Sequence, residues 1–123
     1  MIDHISLKVQ DFPKAKAFYE KALAPLGFRV MMGFPEAAGF GDTHPAFWIG
    51  SERSAAKSAG PVHIAFVARD RAAVDAFYEA AVAAGGKDNG KPGLRPQYHP
   101  HYYGAFATDP DGNNVEAVCH KPE

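Results

Sequence analysis

The chain has 123 residues, 46% of them hydrophobic and 22% charged, and a formal net charge of −1. That length supports one sizeable core, and with no basic run and no long apolar stretch, neither nucleic acid nor a membrane is an expected partner. The single Cys119 rules out an internal disulfide, and the start MIDHISLKV lacks the basic and apolar regions of a signal peptide, so a cytoplasmic setting is expected.

In chain order, Ile2–Val9 alternates, with Ile5, Leu7 and Val9 on one face and His4, Ser6 and Lys8 on the other. This is the pattern of a half-buried strand. Asp11 is a helix N-cap, and Pro13 is tolerated in the first turn. Ala15, Phe18, Tyr19, Ala22 and Leu23 then follow i, i+3, i+4, i+7, i+8 spacing, an apolar helical stripe ended by Gly27. Phe28–Met32, Ala38–Phe40 and Ala46–Ile49 read as short strands separated by glycine and proline.

The pattern then begins again. A shift of 59 positions aligns His4-Ile5 with His63-Ile64, Asp11 with Asp70, and Ala17-Phe18-Tyr19-Glu20 with Ala76-Phe77-Tyr78-Glu79. Ala22, Ala24 and Gly27 fall on Ala81, Ala83 and Gly86, making 10 identities in 24 pairs without a gap. Ordinary composition would give about one or two. The second copy repeats the strand (Val62, Ile64, Phe66 against His63, Ala65, Val67) and the stripe (Val74, Phe77, Tyr78, Ala81, Val82), with Gly85-Gly86 as the stop. Lys87–Asp88 begins a strand, and Gly90–Pro100, with Pro92, Pro96 and Pro100, reads as a loop. Tyr102–Thr108 and Asn113–Cys119 flank Asp109-Pro110-Asp111-Gly112, a hairpin turn. The expected fold is α+β: two tandem βαβββ modules (about 1–50 and 61–121) joined by a connector at about 51–60.

Three side chains raise the question of a metal. His4 and His63 stand opposite their strands' large apolar residues, and Glu116 lies mid-strand on the face opposite Val115 and Ala117. A carboxylate in so apolar a strand is costly to bury without a partner. Two imidazoles and one carboxylate meeting in one cleft would suit a divalent transition metal with open positions. Taken singly, each histidine reads more readily as structural or partly solvated, and Glu116 as the partner of a lysine or arginine; the three together point to a shared metal or binding site.

These residues also carry a resemblance. His4-Ile5-Ser6-Leu7 before a helix with Phe18-Tyr19, then His63-Ile64-Ala65-Phe66, then Asp109-Pro110-Asp111-Gly112-Asn113-Asn114-Val115-Glu116, resemble the vicinal oxygen chelate superfamily. Glyoxalase I, extradiol dioxygenases, fosfomycin-resistance enzymes and bleomycin-resistance proteins belong to it. The resemblance implies paired βαβββ modules forming an open, cup-shaped mixed sheet with the site inside, commonly in a homodimer, and a divalent ion (zinc, nickel, manganese or iron) at His4, His63 and Glu116. Glyoxalase I takes a further glutamate from the last strand of its first module. Here Trp48 is expected at that place, which argues against lactoylglutathione lyase activity.

Beside Glu116, Tyr103 and His101 are the expected proton-transfer groups. Strand alternation sends Tyr102 and Tyr103 to opposite faces, so only one can line the cleft. Trp48, Phe47, Arg95 and His99 are expected to line a small-molecule site. Two functional classes follow: a metal-dependent enzyme acting on a substrate with adjacent oxygens, or a metal-free protein that sequesters a flat ligand. A homodimer is expected for either, since two short modules leave sheet edges to cover.

Overall fold

The computed structural model describes residues 2–52 and 61–123, so the expected connector lies outside the described residues except for Ser51 and Glu52. The first module contains β1 (Ile5–Val9), α1 (Phe12–Leu23), β2 (Arg29–Phe34), β3 (Ala37–Gly41) and β4 (Phe47–Ser51). The second contains β5 (His63–Val67), α2 (Arg71–Ala83), β6 (Lys87–Leu94), β7 (Tyr103–Thr108) and β8 (Asn114–Cys119). These are the two expected βαβββ modules. Each builds a four-stranded mixed sheet, ordered β1-β4-β3-β2 and β5-β8-β7-β6. In both sheets the first strand pairs in parallel with the last, and the remaining pairs are antiparallel.

Local chemistry accounts for these elements. Asp11 and Asp70 cap the helices by accepting hydrogen bonds from Lys14 and Ala73 N–H. The α1 stripe is fully used: Ala15, Phe18, Tyr19, Ala22 and Leu23 are all buried. On α2 the buried set is Ala73, Val74, Phe77 and Ala81, while Tyr78 is only partly buried and Val82 is exposed. One stretch departs from expectation: β6 runs on through Gly90 and Pro92 to Leu94, where a loop was expected. It is an edge strand with two register shifts, at Asp88/Gly90 and Gly90/Gly93. An edge strand tolerates a proline, whose missing N–H costs no ladder bond on the open side.

The helix-facing sides of both sheets share one core. Phe47 of β4 meets Phe66 of β5 edge-on at 5.2 Å, and Tyr19 of α1 lies 4.9 Å from Phe47. A buried polar clamp joins the modules as well. The Asp109 carboxylate accepts from the Tyr19 hydroxyl, from Asp111 N–H (2.9 Å), and from Asn113 N–H and Nδ2 (both 2.8 Å). Asn113 Oδ1 accepts from Val62 N–H at 2.9 Å, and Asp111 Oδ1 from Gln10 N–H at 3.1 Å. The Asp-Pro-Asp-Gly-Asn-Asn turn thus ties α1, the end of β1 and the start of β5 together. Among the described residues no helix is long and apolar enough to cross a membrane.

Candidate functional site

Strand β8 places Val115, Ala117 and Cys119 under α2 and turns Glu116 to the opposite side of the sheet. There Glu116 is only 1% exposed. A carboxylate so buried needs donors, and it has two. His63 Nε2 donates to Oε1 at 2.7 Å, and the Tyr102 hydroxyl donates to Oε2. The imidazole of His63 remains about half exposed, so the pair opens to solvent. Gly104 leaves room for it: a Cβ there would stand 3.1 Å from Tyr102 Cε1 and 3.3 Å from Glu116 Oε2. Rings surround this carboxylate. Tyr102 packs edge-on against Tyr98 (5.1 Å) and His120 (5.2 Å), and His63 against Phe106 (6.1 Å).

The first module carries a second constellation. His4 Nδ1 donates to Asp3 Oδ1 at 2.7 Å, which leaves Nε2 with its lone pair outward. A carboxylate behind an imidazole in this way orients it as a ligand or base. His44 Nε2 donates to the Asp3 carbonyl at 3.1 Å, and Trp48 Nε1 to the Pro45 carbonyl at 3.2 Å. These five residues line an open cavity of about 480 Å³. The indole lies flat over Gly39, where a Cβ would come within 2.8 Å of it, and stacks on Phe34.

Register relates the two constellations. Ser6 pairs with Trp48 in the first sheet, and Ala65 pairs with Glu116 in the second. Ser6 and Ala65 are equivalent under the 59-residue repeat. Trp48 therefore occupies in module one the place that Glu116 holds in module two.

The Glyoxalase/Bleomycin resistance protein/Dioxygenase superfamily model matches residues 1–117. The chain belongs to this superfamily. Its fold is similar to that of a glyoxalase/bleomycin resistance protein from Albidiferax ferrireducens, with 26% identity, a TM-score of 0.80, and 97% of this chain and 98% of that one covered. It is also similar to a glyoxalase/bleomycin resistance protein/dioxygenase family enzyme from Burkholderia phytofirmans (18%, TM-score 0.76, 98% of each chain). A third similar structure is titled lactoylglutathione lyase, from Agrobacterium tumefaciens (22%, TM-score 0.73, 97% of this chain and 92% of that one). No curated protein matches the chain significantly.

Within this superfamily chain the expected site residues divide. His63 and Glu116 come together, whereas His4 lies with Trp48 in the other cavity. Among the described residues no three of His, Cys, Asp and Glu close on one point. His63 and Glu116 are the residue types that could hold a divalent ion, and they lie within hydrogen-bond distance of each other. Tyr103 is not beside Glu116. It pairs with Cys119 in register, and so points to the helix side, where its hydroxyl donates to Asp75 at 2.7 Å under the Arg71 guanidinium. Tyr102, one residue earlier, takes that place. Phe47 is 1% exposed and packs in the aromatic core, with an edge on the apolar cleft between β1 and β5 and away from Trp48's cavity. Arg95 lies over the Phe106 ring and donates to the Gly93 and Lys91 carbonyls at 2.9 and 2.7 Å. His99 and His101 are exposed on the loop before β7, their rings 5.8 Å apart. Asp3, His44 and His120 were missed, and nothing in the residue pattern marks them.

Four phenols titrate late, among them Tyr78, which burial and then a hydrogen bond to Asp88 push up. Burial, then the Asp109 charge, pushes Tyr19 well above the ordinary value near 10. Burial, then the hydrogen bond to Glu116, raises Tyr102, and the hydrogen bond to Asp75, then burial, raises Tyr103. Above about pH 10 the unfolded chain sheds these protons while the folded one keeps them, so stability is complete below pH 10 and falls as pH rises further. Tyrosinate absorbance near 295 nm, followed with circular dichroism, should rise for Tyr19 only as the protein unfolds. Full ionisation in the folded state would contradict this.

Proposed function

We propose that the protein is a small-molecule enzyme of this superfamily that works as a homodimer, with its site shared between two subunits. His63 and Glu116 of one subunit and the partner's His4 would hold a divalent ion (zinc, nickel, manganese or iron). The observation that carries this reading is Glu116: 1% exposed, yet on the open sheet face with an imidazole nitrogen 2.7 Å away. His4 supports it from the other half, since Asp3 leaves its Nε2 free to ligate. The strand edges support the dimer. Both β1 and β5 end their sheets, with exposed Ile2, Val62 and Val67 nearby. Between them lies a mainly apolar cleft of about 210 Å³ that includes Ile5, Phe28, Ile64 and Phe66. Such edges and surface favour a covering partner.

When bound, the ion would supply Lewis-acid polarisation of a substrate with adjacent oxygens. The chain's own residues set the rest. Tyr102 stays neutral and holds Glu116 Oε2, fixing the carboxylate beside His63. Trp48, at the counterpart position to Glu116, brings no carboxylate and adds a flat wall, so lactoylglutathione lyase activity is not proposed. The stacked Trp48–Phe34 pair favours a second reading, in which the cleft sequesters a flat ligand without metal.

Elemental analysis and calorimetric titration of protein purified without chelator or affinity-tag metal decide between the two, with light scattering for assembly. One ion per subunit, lost in His4→Ala and in His63→Ala, together with a dimer, is the expected result. A monomer, or no uptake of any of the four ions, overturns the metalloenzyme and leaves the sequestering protein.

A further inference from the structure

Beside Glu116 stands a group of rings that the proposed chemistry does not use. His99 packs edge-on against His101 (5.8 Å) and His120 (5.5 Å), and His120 against Tyr102 (5.2 Å). Three imidazoles so close together would repel one another on protonation, yet among the described residues none has a carboxylate partner. The ion pairs there are His4–Asp3, His63–Glu116 and Arg69–Asp70. Glu116, which Tyr102 links to these rings, is engaged by His63 and Tyr102. His101 N–H donates to His99 Nδ1 at 3.1 Å, so His99 presents its Nε2–H outward as a donor.

The loop that carries His99, His101 and Tyr102 is held in place, and His120 follows directly on β8. Tyr98 and His99 N–H donate to the Arg95 carbonyl, and Tyr102 N–H to the His99 carbonyl at 3.1 Å. Arg95 N–H closes the base by donating to the Tyr102 carbonyl at 2.7 Å, while the Arg95 side chain fastens to the Gly93 and Lys91 carbonyls. Tyr98 is nevertheless 63% exposed at the tip. Exposed rings on a loop tied down before any ligand arrives lose little entropy on binding one. Ring edges recognise a flat π face, and imidazole N–H donors with the Arg95 charge recognise an anion.

We propose that His99, His101 and His120, flanked by Tyr98 and Tyr102, form a subsite for the carboxylate end of a planar aromatic acid whose other end reaches Glu116. This deepens, and rests on, the reading of the Glu116 face as a small-molecule site. The test titrates the protein with 2-naphthoate, its neutral counterpart 2-naphthamide, and the non-planar cyclohexanecarboxylate, by calorimetry and by NMR of the histidine ring protons. Naphthoate is expected to bind at least tenfold more tightly than either comparison compound and to shift the His99 and His120 resonances. The double variant His99→Gln/His120→Gln, altered only at exposed positions, should keep its circular dichroism and lose at least tenfold in naphthoate affinity. Equal binding of acid and amide, or undiminished affinity in the folded double variant, overturns the subsite. Absence of metal uptake with this discrimination intact would remove the metalloenzyme reading alone.

Discussion

Replacing Asp109 with alanine is expected to lower the stability of the fold by about 4 kcal/mol, since a buried donor left without an acceptor costs about 1–3 kcal/mol. Four donors lose their acceptor together: the Tyr19 hydroxyl, Asp111 N–H, and the two nitrogens of Asn113. Water can reach some of the turn, but Tyr19 is 0% exposed, so its hydroxyl has no replacement partner. For a chain of this length the melting temperature should drop by about 15 °C. Tyr19→Phe removes the donor itself, leaves Asp109 its three remaining partners, and should cost only about 1 kcal/mol. Thermal and urea denaturation of the two variants check this. A loss below about 1 kcal/mol in Asp109→Ala would mean that the clamp does not join the modules.

The second large effect is on the site. Glu116→Gln keeps the shape of the side chain and loses its charge and one acceptor, so either His63 or Tyr102 loses a partner. The fold should survive at a cost of about 1–3 kcal/mol. Metal affinity should fall by more than the roughly 10–100-fold typical of losing a residue that only supports a ligand. Calorimetry with zinc and manganese, beside a thermal melt, reads both consequences. Undiminished affinity in the folded variant would exclude Glu116 as a ligand.

Asp109 and Glu116 sit in one eight-residue stretch, and it divides into two roles. The turn residues Asp109, Asp111 and Asn113 are structural, because all their side-chain polar atoms but Asp111 Oδ2 are spent on one another and on the neighbouring segments. Glu116, three residues on, is the group that faces the open side. Sequence spacing alone does not separate these roles, since both are polar residues in an apolar setting.

Much of the architecture was legible because it is local or repeated. Period-2 and period-3.6 patterning, two aspartate caps and a 59-residue repeat sufficed for two βαβββ modules. The repeat also paired His4 with His63, and alternation put Glu116 on the face away from the helix. The loop expected over Gly90–Pro100 was wrong for its first five residues, because proline in a strand depends on whether that strand is an edge, a property of sheet order.

What only the tertiary structure decided is which of these groups meet. Equivalence in a repeat places His4 and His63 at matching points of two sheets, but says nothing about the distance between those points. Pairing inside each module decides it: β5 lies beside β8, so His63 finds Glu116 and Tyr102, and β1 lies beside β4, so His4 shares a cavity with Asp3 and Trp48. One residue of phase at the start of β7 sends Tyr102 to the carboxylate and Tyr103 to Asp75. That phase follows from the pairing of Tyr103 with Cys119, a long-range choice of register made by packing. Phe47, apolar and mid-strand like Trp48, went to the core for the same reason: adjacent strand residues face opposite ways, and packing selects which face is buried.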